Sequence, residues 1–349
     1  MNWINKSCQQ RSTSFKDKAL TRQTQLTKPL GSLGMLEQLA VRLADCQQSE
    51  KPVSDNVAIS IFAADHGIAE EGVSAFPQEV TAQMVMNFLQ GGAAISVLSE
   101  QLNANMEVVD TGILTELPQQ EGLVILRSGS GTANSANQPA MTQEQLGTAL
   151  IAGFDSIERA VINKADIFIG GEMGIANTTS ASVLYCALLG LTPEEATGAG
   201  TGLDDAGITH KTRVVQAILD KHKGECGSDP LKWLRCAGGF EIVALTGAYL
   251  RAGQVGLPVL VDGFISSVAA LCAVKINKEV NDYLFFSHVS AEQGHRKVLD
   301  ELGQTAMLDL GMRLGEGSGA AVAVSLLRSA CATHNNMATF EEAMVATQS

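Results

Sequence analysis

The chain is short of the residues on which several functional classes depend. Aromatic residues make up 5% of its 349 positions and charged residues 17%, which excludes a stacking-rich binding scaffold and a charge-dominated disordered chain. Basic residues number 24 against 37 acidic ones, for a formal charge of −13, and they gather in no run or stripe. Such a surface repels nucleic acid and anionic lipid, so neither is an expected partner. An anionic small molecule would have to be held locally, by backbone N–H groups and one or two cations. Proline is scarce at 8 residues. The seven cysteines (Cys8, Cys46, Cys186, Cys226, Cys236, Cys272 and Cys331) include no C-x-x-C pair and are odd in number. That argues against a disulfide framework or zinc knuckle and for a reducing compartment. Residues Met1 to Lys6 show no apolar signal-peptide core. The longest apolar stretch, Leu257 to Val274, is broken by Asp262 and two serines, so no membrane span is expected. The expected location is cytoplasmic.

What is present is apolar and glycine-rich: 45% hydrophobic residues and 34 glycines. That is enough to bury a large core in one big domain or two unequal ones. Short β-rich apolar segments are predicted at 56–64, 106–109, 123–126, 165–169, 258–261 and 283–287. Helical spacing appears between them at 79–89, 142–160, 211–222 and 242–251, with a further helix around Leu33 to Leu43 and one running from Ser318 to Ala346. This alternation predicts an α/β fold with a mostly parallel sheet flanked by helices. Ligands then collect at the carboxyl ends of strands. Small polar residues follow the predicted strands at Asp65-His66-Gly67, Asp110-Thr111-Gly112, Gly170 to Gly174, Asp262-Gly263-Phe264 and Ser287-His288, so one composite site is expected there.

Three segments carry candidate chemistry. Gly170-Gly171-Glu172-Met173-Gly174, leading into Asn177-Thr178-Thr179, reads either as a phosphate-holding turn or as an ordinary tight turn with a helix cap. Gly198-Ala199-Gly200-Thr201-Gly202, with Lys211 beyond it, is neither a Walker loop nor a dinucleotide fingerprint. It is a phosphate loop with a lysine counter-charge, or a flexible turn. Gly315-Glu316-Gly317-Ser318-Gly319 sets one carboxylate among glycines ahead of an apolar helix. There Glu316 is either a general base with a burial-raised pKa or an acid serving the helix dipole. His66, His288 and His295 with Asp65, Asp204, Asp205 and Asp262 lack metal-ligand spacing, and loop-end His and Asp more often satisfy backbone groups. No metal site and no cofactor are expected, and the absence of G-x-S-x-G removes a serine-nucleophile reading.

Taken in order, these motifs resemble the nicotinate-nucleotide–dimethylbenzimidazole phosphoribosyltransferase family. The resemblance runs over nearly the whole chain. It rests on Lys28-Pro29-Leu30-Gly31-Ser32-Leu33-Gly34, Ala64-Asp65-His66-Gly67 through Pro77, Val80-Thr81-Ala82 and Gly171 to Thr179. It continues through Gly238-Gly239-Phe240-Glu241, Leu260 to Phe264, Ser287 to Glu292 and Met312 to Gly319. It implies a Rossmann-like parallel sheet at residues 53–324, a small helical domain built from 1–52 and 325–349, and a homodimer. It also implies that Glu316 is the general base and Glu172 a second catalytic carboxylate. Phosphate and ribose contacts are implied for Gly171, Gly174, Asn177, Gly200, Thr201, Gly202 and Lys211, and base contacts for Ser74, Phe76, Gln83, Met312 and Leu314. The implied substrates are nicotinate mononucleotide and 5,6-dimethylbenzimidazole or a related base, with inversion at the anomeric carbon.

Three other readings compete: a related phosphoribosyltransferase using adenine or phenolics, a non-catalytic nucleotide-binding homologue, and a nicotinamide-dependent dehydrogenase. The intact Glu316 segment argues against the second. The missing fingerprint argues against the third.

Overall fold

The computed structural model describes residues 2–200 and 202–346. Its frame is one sheet of six strands: β1 (Val57–Ala64), β2 (Asn105–Gly112), β3 (Leu123–Ile125), β4 (Ile167–Met173), β5 (Val259–Val261) and β6 (Leu284–Phe286). Their spatial order is β3-β2-β1-β4-β5-β6 and every neighbouring pair is parallel. Every residue of β1 is buried, which is why this segment is continuously apolar instead of alternating. The predicted α/β fold with a mostly parallel, helix-flanked sheet is therefore observed, with boundaries moved by a few residues.

Two boundary shifts have consequences. The strand expected to stop at Ile169 continues to Met173, so Gly170, Gly171 and Glu172 are extended sheet and the turn begins only at Gly174. The final helix, expected from Ser318 to Ala346, ends at Asn336. Beyond it Thr339 pairs antiparallel with Leu26, and that pairing withdraws the backbone from helix.

Helix formation follows local chemistry where the chain is exposed and packing where it is not. Gln143–Ile162 starts at a capping box in which Thr142 and Gln145 satisfy each other's backbone N–H groups. Phe240–Val255 has no side-chain cap and is buried along almost its whole length. It lies against Gln143–Ile162, where Gly153 and Gly247 let the two backbones meet: a Cβ on Gly153 would stand 1.8 Å from the Ala244 carbonyl oxygen. Near the chain ends, Thr13–Gln25, Met35–Gln47 and Ser318–Asn336 pack together, with Ala19, Val41 and Ala44 forming a small apolar cluster. Arg22 secures this arrangement by donating to the carbonyls of His334, Asn335 and Met337. Among the described residues no helix is long and apolar enough to cross a membrane.

Candidate active site

In the order β3-β2-β1-β4-β5-β6 the winding direction reverses between β1 and β4, and a crevice opens at the carboxyl ends of strands on either side of such a switch. A cavity of about 370 Å³ lies there. It is lined by segments following β1 (Val73, Ser74, Phe76), β4 (Glu172 to Thr178), β5 (Asp262 to Ser266) and β6 (His288, Ser290, Glu292), and by Arg313 to Glu316. Two of the predicted polar segments, Asp65-His66-Gly67 after β1 and Asp110-Thr111-Gly112 at the end of β2, do not line it. Asp110 turns inward to accept the N–H groups of Gly112 and Ile113, and Asp65 accepts that of Leu114. His66 is likewise a brace, fully buried between Ser180 and Glu241, its Nε2 2.7 Å from the Glu241 carboxylate. His288 does line the cavity.

One end of the cavity is acidic. Glu172 projects from the end of β4, with Asn177 Nδ2 donating to one carboxylate oxygen at 2.5 Å and the Glu316 N–H to the other at 3.4 Å. Burial, then the nearby carboxylates of Glu241 and Asp262, push Glu172 well above the usual carboxylate range. Glu316 is buried, and its Oε2 meets no hydrogen-bond partner among the described residues. Burial, reinforced by Asp262 and partly offset by an N–H from Ile95, raises its pKa to about 7. Its backbone takes φ +65°, a left-handed conformation that non-glycine residues seldom adopt. Two contacts hold it there. Asp262 accepts the N–H groups of Gly317 and Ala320 at 3.1 and 2.9 Å, clamping the start of the following helix. Gly171 lets the Glu316 carbonyl pass, since a Cβ there would stand 2.3 Å from that oxygen.

Another part of the lining carries the cations Lys211 and Arg313. Lys211 is 1% exposed on the helix Asp205–Cys226 and donates from Nζ to Thr178 Oγ1 at 2.6 Å. Burial lowers its pKa to about 8, against an upward pull from Glu292. Arg313 donates to the Gly200 carbonyl at 3.2 Å. Ala176, at φ +75°, precedes the helix Asn177–Leu189, where the Asn177 and Thr179 N–H groups donate to the Gly174 and Ala176 carbonyls at 3.1 and 2.9 Å. A buried lysine and an arginine suit an anion such as a phosphate. Val73, Phe76, Val80, Met84, Phe264, Ile265 and Leu314 make the lining largely apolar.

The expected residues divide plainly. Glu172, Gly174, Asn177, Gly200, Lys211, Ser74, Phe76, Leu314 and Glu316 are brought together. Gly171 does not touch the cavity; it stands behind it, making room for Glu316. Gly202, Gln83 and Met312 do not line it either: Gln83 is exposed on its helix, and Met312 uses its carbonyl to accept the Ala291 N–H. Thr201 lies outside the described residues. Asp262, at a strand end expected to join the composite site, lines the cavity, and so do Thr178, Glu292 and Arg313, which sit inside the quoted motifs without a role expected of them. Polar residues there have no periodicity to mark their direction, and only the fold points them inward.

Comparison with known proteins agrees with this arrangement. A model of the family described as "Phosphoribosyltransferase" matches residues 8–345. The chain is 56% identical over 344 residues, 99% of its length and 98% of the relative's, to the nicotinate-nucleotide–dimethylbenzimidazole phosphoribosyltransferase of Pseudomonas putida strain W619. It is 55% identical over 347 residues to the protein of the same name from Pseudomonas syringae pv. syringae strain B728a, again covering 99% of this chain and 98% of the relative. The crystal structure of CobT from Thermus thermophilus superposes with a TM-score of 0.92 at 44% identity, covering 96% of this chain and 100% of that one. With a family match along nearly the whole chain and relatives of this identity at full length, the chain belongs to the nicotinate-nucleotide–dimethylbenzimidazole phosphoribosyltransferase family.

Proposed function

We propose that this protein transfers the 5-phosphoribosyl group of nicotinate mononucleotide to 5,6-dimethylbenzimidazole or a related base, releasing nicotinate and forming the α-ribotide used as the lower ligand of cobalamin. The observation that carries this reading is Glu316: a buried carboxylate with an oxygen that meets no partner among the described residues and a pKa of about 7, lining the same cavity as Lys211. In the donor the leaving base is a pyridinium. As the C1′–N bond breaks, its electron pair returns to the ring nitrogen and neutralises it, so no general acid is required. The imine-type nitrogen of the acceptor bonds to C1′ while the proton on its other ring nitrogen passes to Glu316, which is partly ionised at neutral pH. Attack opposite the leaving group inverts the anomeric centre. Lys211 and Arg313 hold the 5-phosphate. Glu172, whose charged form is disfavoured by burial, hydrogen-bonds the ribose hydroxyls.

Turnover of purified protein with both substrates, followed by product identification, tests this directly. The α-ribotide and nicotinate are expected in equal amounts, with Glu316→Gln slowed by about 10²–10⁴-fold, the range for losing a general base. A wild type that makes no ribotide from this or any related base would remove the catalytic reading and favour a nucleotide-binding homologue. Product from adenine or a phenol alone would redirect it to the related transferase.

Two wider statements belong to the same reading. The helices near the chain ends, within 1–52 and 325–349, act as a small helical unit of a cytoplasmic homodimer. Support comes from the free, buried state of all seven cysteines and from an apolar groove beside Leu20, Leu30 and Val41, where Leu30 is 75% exposed. Light scattering of the eluting protein is expected to give twice the chain mass; a monomer mass would discard the dimer.

A further inference from the structure

Two segments that carry the family resemblance, Asp65-His66-Gly67 and Gly238-Gly239-Phe240-Glu241, contribute no side chain to the cavity, and they meet at His66. This residue is fully buried just past the end of β1, and its polar atoms each reach a different part of the fold. The ring Nε2 lies 2.7 Å from Glu241 Oε1, in the first turn of Phe240–Val255. Nδ1 lies 3.1 Å from Ser180 Oγ, one turn into Asn177–Leu189. The main-chain carbonyl accepts from Gln78 Nε2 at 2.7 Å.

Two of these partners belong to opposite functional walls. Ser180 sits on the helix whose start presents Asn177, the partner of Glu172, and Thr178, the partner of Lys211. Gln78 immediately precedes Glu79–Leu89, the helix that supplies Val80 and Met84 to the apolar lining. The ring fits between the segments because two glycines leave room. A Cβ on Gly239 would stand 2.2 Å from Cε1, and one on Gly174, which lines the cavity, would stand 3.1 Å from Nε2. The walls also touch directly, where the Ile175 N–H donates to Thr81 Oγ1 at 3.2 Å, so His66 reinforces a joint that is already closed at one point.

We infer that His66 is a positioning residue for the transfer. It fixes the separation between the base-side helix Glu79–Leu89 and the nucleotide-side helix Asn177–Leu189, and through it the distance from the acceptor nitrogen to C1′. This inference rests on the phosphoribosyl transfer proposed above. In that reaction each wall binds its own substrate, while bond formation depends on how far apart the two are held. Reacting atoms must be brought to about 3–3.5 Å, and a misplacement of about 1 Å costs about 10²-fold in rate. A support that sets only this spacing therefore acts on kcat and leaves each KM nearly unchanged. His66, Ser180, Glu241 and Gln78 are all absent from the cavity lining, so their influence passes through the residues they hold.

The test compares wild type with His66→Ala, Ser180→Ala and Gln78→Leu, and with the last two combined. Melting curves give the folded fraction, and kcat is expressed per folded molecule. His66→Ala is expected to lose about 10–100-fold in kcat, with KM for either substrate within about threefold of wild type. Should His66→Ala fail to fold, the two outer variants carry the question. Each should lower kcat alone, and together by less than the product of the single effects, because opening either bond already frees the spacing. A kcat within about twofold of wild type, a loss confined to KM, or single effects that multiply would each overturn the proposal. Hydrogen exchange on the same proteins needs no turnover. Ser180→Ala removes a bond on the nucleotide side, yet it should quicken amide exchange in Glu79–Leu89, across the cavity, by about threefold or more. Unchanged exchange there would overturn the coupling even in an active enzyme. A wild type that makes no ribotide would instead remove the proposed reaction, and the coupling would then be decided by exchange alone.

Discussion

At the scale of single residues, two titrations with opposite requirements govern the proposed reaction. Glu316 must be ionised to accept a proton, and burial sets its pKa near 7. Lys211 must be charged to hold the phosphate, and burial brings its pKa down to about 8. Activity against unbound substrate should therefore fall below pH 7 as Glu316 protonates and fall above pH 8 as Lys211 discharges. A narrow bell in kcat/KM with limbs near these values is the expected profile. Replacing Lys211 with Met should remove the alkaline limb and raise KM for the nucleotide. An alkaline limb that survives in Lys211→Met would show that the lysine does not set it.

At the scale of elements, the site depends on how β4 meets the segment before the last helix. The strand ends in Gly170-Gly171-Glu172-Met173, and this composition suggests a phosphate-binding turn when read without the fold. In the folded chain Gly171 is instead a passage for the Glu316 carbonyl. Gly171→Ala would put a methyl group 2.3 Å from that oxygen and force the Glu316 loop outward. A stability loss of about 1–3 kcal/mol is expected by analogy with overpacked cores, together with a drop in kcat larger than any change in KM. Denaturant unfolding and steady-state kinetics would check it; wild-type values in both would mean that the close approach is not needed. Asp262 belongs to the same joint. By accepting two N–H groups at the start of Ser318–Asn336 from the end of β5, it caps that helix from a distant part of the chain and fixes where Glu316 sits.

Over the whole molecule, function and stability are set against each other through buried carboxyls. The folded-state pKa of Glu316 lies above its ordinary value of 4.5, so the folded protein holds a proton that the unfolded chain has released between pH 4.5 and about 7. Stability from this group is full below pH 4.5 and is lost as pH rises towards 7. Glu316→Gln removes the penalty. Its melting temperature should match wild type near pH 4.5 and exceed it at pH 8, by on the order of 2 kcal/mol in free energy. Equal melting temperatures at both pH values would place the Glu316 carboxyl in solvent.

Much was determined by the sequence alone. Apolar β-rich segments alternating with helical spacing dictated a helix-flanked parallel sheet, because only that arrangement buries continuously apolar strands on both faces. The glycine-flanked Glu316 and the ordered motifs from Lys28 to Gly319 identified the chemistry. Tertiary structure decided which polar strand ends became site and which became braces. His66 and Asp110 turn inward to satisfy buried partners, whereas Glu172, Asp262 and His288 open into the cavity. Periodicity reports the face on which an element is buried. It carries no information on which separate elements meet, and that depends on the packing of the whole core.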